Sequence, residues 1–92
     1  MQLSQRLRTT RKAKGVSLKT ASRAMGCAFQ HLSRLETDLS FRPRMALLES
    51  MCAYYGISQD VLIPEAGRIP RDCYLKLVHN PHLLTAVRAL KV

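Results

Sequence analysis

Between residues 18 and 37 the chain has little freedom of shape. Leu18, Ala21 and Met25 recur at spacings of three and four, which puts them on one face of a short helix. Gly26 follows at once. With no Cβ it takes the left-handed backbone conformation at low cost, so it ends that helix and turns the chain sharply. Residues 28–37 then read as another short helix, with Leu32 and Leu35 as its buried stripe. Phe29, Gln30, Ser33 and Arg34 lie off that stripe. Two helices joined by so short a turn meet at a steep angle, and the second is left protruding with a largely polar outer face.

The flanking segments supply a core for this pair to stand on. Leu3–Lys14 holds helix formers without Gly or Pro, with Leu3 and Leu7 one turn apart and Arg6, Arg8, Lys12 and Lys14 elsewhere on the cylinder. Gly15 suits a helix stop, and the Ser17 hydroxyl suits a cap for the next helix. A loop over residues 38–42 leads to a fourth helix expected to start at Pro43, with Met45, Leu48, Met51, Cys52 and Tyr55 as its apolar stripe. Gly56 closes it. Ser58 caps a fifth helix over residues 59–63, whose Val61 and Leu62 are expected to fold back on the core. Five short helices with brief connections imply an all-α bundle over residues 1–63.

Pro64, Gly67 and Pro70 fall close together and read as a linker or a turning loop. Two more helices are expected, at residues 71–79 and 82–90, divided by Pro81. Tyr74, Leu77 and Val78 mark one stripe; Leu83, Val87 and Leu90 mark the other. Residues 64–92 thus form a helical extension. Its stripes either pair with a second copy of the chain or pack on the chain's own fourth and fifth helices.

Charge narrows the range of partners. The chain carries a formal +9, and residues 1–44 hold ten Lys or Arg against two acids, +8. Residues 45–92 hold five against four, +1. A first half this cationic attracts polyanions through a long-range, salt-screened field. Nucleic acid is the commonest such partner, ahead of a membrane surface or an acidic protein. No apolar run exceeds five residues, too short to cross a bilayer. The first residues show no signal-peptide pattern, so a cytoplasmic address is expected. Cys27, Cys52 and Cys73 are odd in number and widely spaced, which suits buried free thiols better than disulfides or a metal site. His79 and His82 are separated by Asn80-Pro81 and do not suggest a metal pair either. No Gly-rich phosphate loop, nucleophile elbow or acid–base carboxylate pair is present, so neither catalysis nor a cofactor is expected.

One ordered set of residues adds to this reading. Arg11 lies four residues before Gly15, Ser22 is a small residue in the second helix, and Gly26 occupies the turn. Leu32, Leu35 and Glu36 follow, then Phe41-Arg42-Pro43-Arg44 and Tyr55-Gly56-Ile57-Ser58. Over residues 3–63 this resembles the helix-turn-helix domain of phage Cro and repressor proteins, the XRE-like family with its lambda-repressor-like five-helix bundle. The resemblance implies a third helix that reads base edges in the major groove through Phe29, Gln30 and Arg34, with Ser33 nearby. Gln30 has the donor–acceptor pair that matches adenine, and Arg34 the fork that matches guanine. Phe29 either packs on a thymine methyl or turns inward to the core.

The resemblance also places Arg42 and Arg44 along the sugar–phosphate backbone, with Ser17, Lys19 and Thr37 as secondary contacts and His31 as a backbone contact at most. It implies an ion pair between Arg11 and Glu36. Two positions depart from the family's habit: Leu18 stands where Gln is common, and Asp38 where Gly is common. The function implied is a sequence-specific transcriptional regulator, a repressor binding an inverted-repeat operator as a homodimer in a prokaryotic cell or encoded by a phage. The alternatives are an antitoxin that also binds a toxin, and unspecific binding of RNA or an anionic membrane through charge.

Overall fold

The computed structural model describes residues 2–38 and 41–91, so Met1, Leu39, Ser40 and Val92, with the middle of the expected loop over 38–42, lie outside the described residues. Seven helices and no strand occur among the described residues. They are α1 (Leu3–Lys14), α2 (Leu18–Met25), α3 (Phe29–Leu35), α4 (Met45–Tyr55), α5 (Gln59–Glu65), α6 (Arg71–His79) and α7 (Leu83–Ala89). The all-helical expectation agrees with this.

The core draws one or more side chains from each of the first five helices. Leu7, Ala21, Leu32, Leu48, Met51, Leu62 and Ile63 are fully buried, with Leu35 beside them. Leu3, Val16, Leu18, Phe41, Met45 and Tyr55 pack around that cluster. Burial of each large apolar side chain stabilises the fold by about 1.5–3 kcal/mol. Such burial fixes the bundle that carries α2 and α3.

Ionic and hydrogen-bonded ties join its elements. Ser17 Oγ accepts from Thr20 N–H at 3.1 Å and caps α2. Arg6 pairs with Glu65, tying α1 to the end of α5. Gly26 takes φ +70°, and the next residue's N–H reaches back to Ser22 O at 3.0 Å, closing the turn.

Several boundaries differ from expectation. Pro43 does not start α4. It is fully buried as a plug, and Arg44 is the extended N-cap, with its carbonyl accepting the first helical bond from Leu48 N–H at 3.1 Å. Helix α5 runs through Pro64, because Ala66, Gly67 and Arg68 donate to Ile63 and Pro64 carbonyls and close the turn without a proline N–H. Val61 stays 40% exposed while Ile63 takes its expected place in the core. Helix α3 is a turn shorter than expected, with Ala28 and Glu36 as its caps, and α7 stops at Ala89. Of the three thiols only Cys52 is buried; Cys27 is half-buried and Cys73 exposed on α6. Burial pushes the Cys52 and Cys27 thiols above their ordinary pKa.

Helices α6 and α7 contribute no buried residue. Arg71 donates to Glu49 of α4 at 3.0 Å and anchors the start of α6. Beyond that point the molecule is elongated, 45 × 23 × 20 Å, with a radius of gyration of 14.9 Å. A compact chain of this length has about 12 Å. Tyr74, Leu75, Val78, Leu84, Val87 and Leu90 are all exposed along this extension.

Candidate nucleic-acid interface

The outer face of α3 is set by its two anchors. Leu32 and Leu35 are buried, so Phe29, Gln30, Ser33 and Arg34 are turned toward the opposite side. Phe29 is 46% exposed and takes no part in the core cluster, which removes its inward alternative. Gln30 is exposed beside it and Ser33 is half-buried. Arg34 is exposed, and its Nε donates to Asp38 Oδ2 at 3.3 Å. Its guanidinium carbon stands 4.8 Å from the centre of the Phe41 ring. The same ring meets His31 edge-on, with centroids 4.8 Å apart and planes at 86°.

The expected phosphate contacts do not form one cluster. Arg42 and Arg44 are both exposed on either side of buried Pro43, and they diverge. Arg44 lines a groove with Gly26, Ala28 and His31, next to the turn and the start of α3. Arg42 lies with Leu3, Asp38, Phe41 and Gly67, and its Nη1 sits so close to Gly67 that a Cβ there would be 2.8 Å away. Ser17 and Lys19 stand at the start of α2, where Ser17 Oγ also donates to Thr20 Oγ1 at 3.1 Å. Thr37 is exposed just after α3, and its hydroxyl donates to Ser33 O at 3.0 Å.

Behind this face, Arg11 grips Glu36. Nε donates to Oε2 at 2.8 Å and Nη2 to Oε1 at 3.1 Å, while Nη1 donates to Val16 O at 2.9 Å. The side chains are 12% and 4% exposed, so the pair is largely removed from water. It joins the end of α1, the α1–α2 loop and the end of α3. The hydrogen bond to Glu36 raises the Arg11 pKa above its ordinary value, so its charge is permanent. Nearby Tyr55 has its pKa pushed up to about 12, first by burial and then by the Glu36 charge. Its hydroxyl is buried and has no hydrogen-bond partner among the described residues.

Sequence reasoning missed the Arg34–Asp38 contact and the aromatic support beneath it. A signal existed: Arg34 and Asp38 are four residues apart, the spacing at which opposite charges meet along a helical surface. Asp38 follows the end of α3, where that rule is not ordinarily applied.

Two short helices joined through the turn at Gly26, the second with an exposed and largely polar outer face, in a chain whose residues 1–44 carry +8, define a DNA-binding regulator of the helix-turn-helix class. The comparison with known families agrees. The chain matches the helix-turn-helix domain family over residues 2–64 and belongs to it, within the type found in Cro-like and XRE-like proteins. No curated protein and no solved structure matches the chain. Among the described residues no helix is long and apolar enough to cross a membrane.

Proposed function

We propose that this protein is a sequence-specific transcriptional repressor that binds an inverted-repeat operator as a homodimer in the cytoplasm. Residues 1–63 act as the DNA-binding domain and residues 64–92 as the dimerising extension. The observation that carries this reading is the exposed set Phe29, Gln30 and Arg34 on a helix anchored from behind by Leu32 and Leu35. Gln30 and Arg34 read base edges, Phe29 meets a thymine methyl, and Ser33 lies at the edge of the contact. Arg44, Ser17, Lys19 and Thr37 hold the sugar–phosphate backbone, with Arg42 on the other side of Pro43. No catalytic step and no cofactor enters this role.

Dimerisation follows from the size of the reading head. One short helix specifies only a few base pairs, so useful selectivity needs two copies on a two-fold site. The exposed apolar side chains of α6 and α7 favour that assignment, because a lone monomer would leave them in water. The same surface supports a second reading, an antitoxin that holds a toxin there. Light scattering of the purified protein separates the two: a dimer mass supports the first, and a monomer that gains mass only with a co-expressed neighbour supports the second.

Affinity measurements on selected and random DNA test the division of labour. Arg34→Ala is expected to lose about 1–3 kcal/mol on the selected site and to relax preference at one base position. Arg44→Ala is expected to weaken all sequences alike and reduce the salt slope by about one unit. Equal losses on random and selected DNA for both variants would refute the reading.

A further inference from the structure

We infer that Asp38 is a positioning residue that aims Arg34 at its base, with the Phe41 ring as the platform on which the guanidinium rests. The inference rests on the proposed role of Arg34 as a base reader.

Three observations carry it. Asp38 Oδ2 accepts from Arg34 Nε at 3.3 Å, and no other hydrogen bond engages the guanidinium among the described residues. Both terminal nitrogens are therefore available. Those are the two groups that present a fork to guanine O6 and N7. The Phe41 ring lies 4.8 Å from the guanidinium carbon and limits motion of the plane. Phe41 is itself held: it packs on the core, and His31 meets its ring edge-on at 4.8 Å. A long flexible side chain 62% exposed to solvent is thus braced at two points before any duplex arrives.

Bracing has a distinct thermodynamic signature. Immobilising a rotamer-rich side chain on binding costs free energy, and a side chain already held avoids part of that cost. The gain appears only where the guanidinium finds its matching base. Meanwhile the Asp38 carboxylate faces an incoming polyanion, which lowers affinity for every sequence. Asp38 therefore trades general attraction for selectivity. A residue with a purely structural role does not move those two quantities in opposite directions.

The experiment measures dissociation constants for wild type, Arg34→Ala, Asp38→Ala, Asp38→Asn and the double variant Arg34→Ala/Asp38→Ala. Three duplexes are used: a selected site, the same site with the Arg34-dependent base pair exchanged, and random DNA. Thermal melts confirm that each variant folds. Asp38→Ala is expected to reduce discrimination at that pair roughly two- to tenfold, while affinity for random DNA stays level or rises. Asp38→Asn keeps an acceptor for Nε and should retain most of the discrimination, which keeps the test valid should the alanine variant fail to fold. The double variant should discriminate no worse than Arg34→Ala. Undiminished discrimination in Asp38→Ala, or an equal loss on all three duplexes, overturns the inference while leaving Arg34 as the base reader. Unchanged preference in Arg34→Ala overturns both.

Discussion

Replacing Glu36 by Ala removes the acceptor for two of the three Arg11 nitrogens and leaves a permanent charge facing a site built to exclude water. Glu36 is 4% exposed and Arg11 12%, so solvent reaches little of the orphaned side chain. Breaking a buried pair from one side costs about 3–5 kcal/mol. The residual exposure of Arg11 and its remaining bond to Val16 O at 2.9 Å favour the lower figure, about 3 kcal/mol. In a domain of this size each kcal/mol shifts the melting temperature by about 4–8 °C. Glu36→Ala should therefore melt roughly 12–24 °C below wild type. Urea titration followed by circular dichroism measures the same loss at constant temperature. The double variant Arg11→Met/Glu36→Leu distinguishes an orphaned charge from a lost net attraction. Two apolar groups of similar volume are expected to recover most of the stability, to within about 1–2 kcal/mol of wild type. Single variants that each lose less than about 1 kcal/mol would place the pair among exposed salt bridges and refute the reasoning.

Three further outcomes are expected. Tyr55 has its folded-state pKa raised to about 12, above the roughly 10 of an unfolded chain. The folded state therefore holds a proton that the unfolded state releases. Its contribution is intact below pH ~10 and declines between pH ~10 and ~12, at up to about 1.4 kcal/mol per pH unit. Tyr55→Phe should flatten that decline in alkaline urea titrations, and an unchanged slope would contradict the assignment. Gly67 has φ +76°, so Gly67→Ala should cost about 1–2 kcal/mol through its backbone. The loss should persist in an Arg42→Ala background, whereas its disappearance there would trace it to the close Arg42 contact instead. Val78→Asp/Val87→Asp alters two side chains 52% and 48% exposed and should leave monomer stability within about 0.5 kcal/mol. Light scattering should then report a monomer in place of the proposed dimer, and a retained dimer mass would exclude this face as the interface.

Periodicity made the helices legible and proline obscured their ends. Leu48, Met51 and Cys52 repeat at helical spacing, and all three are buried. Pro43 looked like a first helical residue by local preference, but its ring fills a space in the core and the helix begins two residues later. Pro64 looked like a stop, yet bonds from the following residues carry α5 across it. Both outcomes depend on tertiary surroundings that a local rule does not contain. The outer face of α3 was readable because Leu32 and Leu35 leave only one way for the helix to lie. The brace on Arg34 was not, because Phe41 reaches it from the segment between α3 and α4, outside any helix, and ring contacts carry no sequence period.

Guanine methylation interference on a selected operator tests the central claim most directly, since methylation at N7 alters only the major-groove edge. The account predicts that wild-type protein is blocked by methylation of a guanine in each half-site, and that Arg34→Ala becomes indifferent at that same guanine. Binding that tolerates N7 methylation throughout, or a block that Arg34→Ala leaves unchanged, would contradict a third helix reading bases from the major groove.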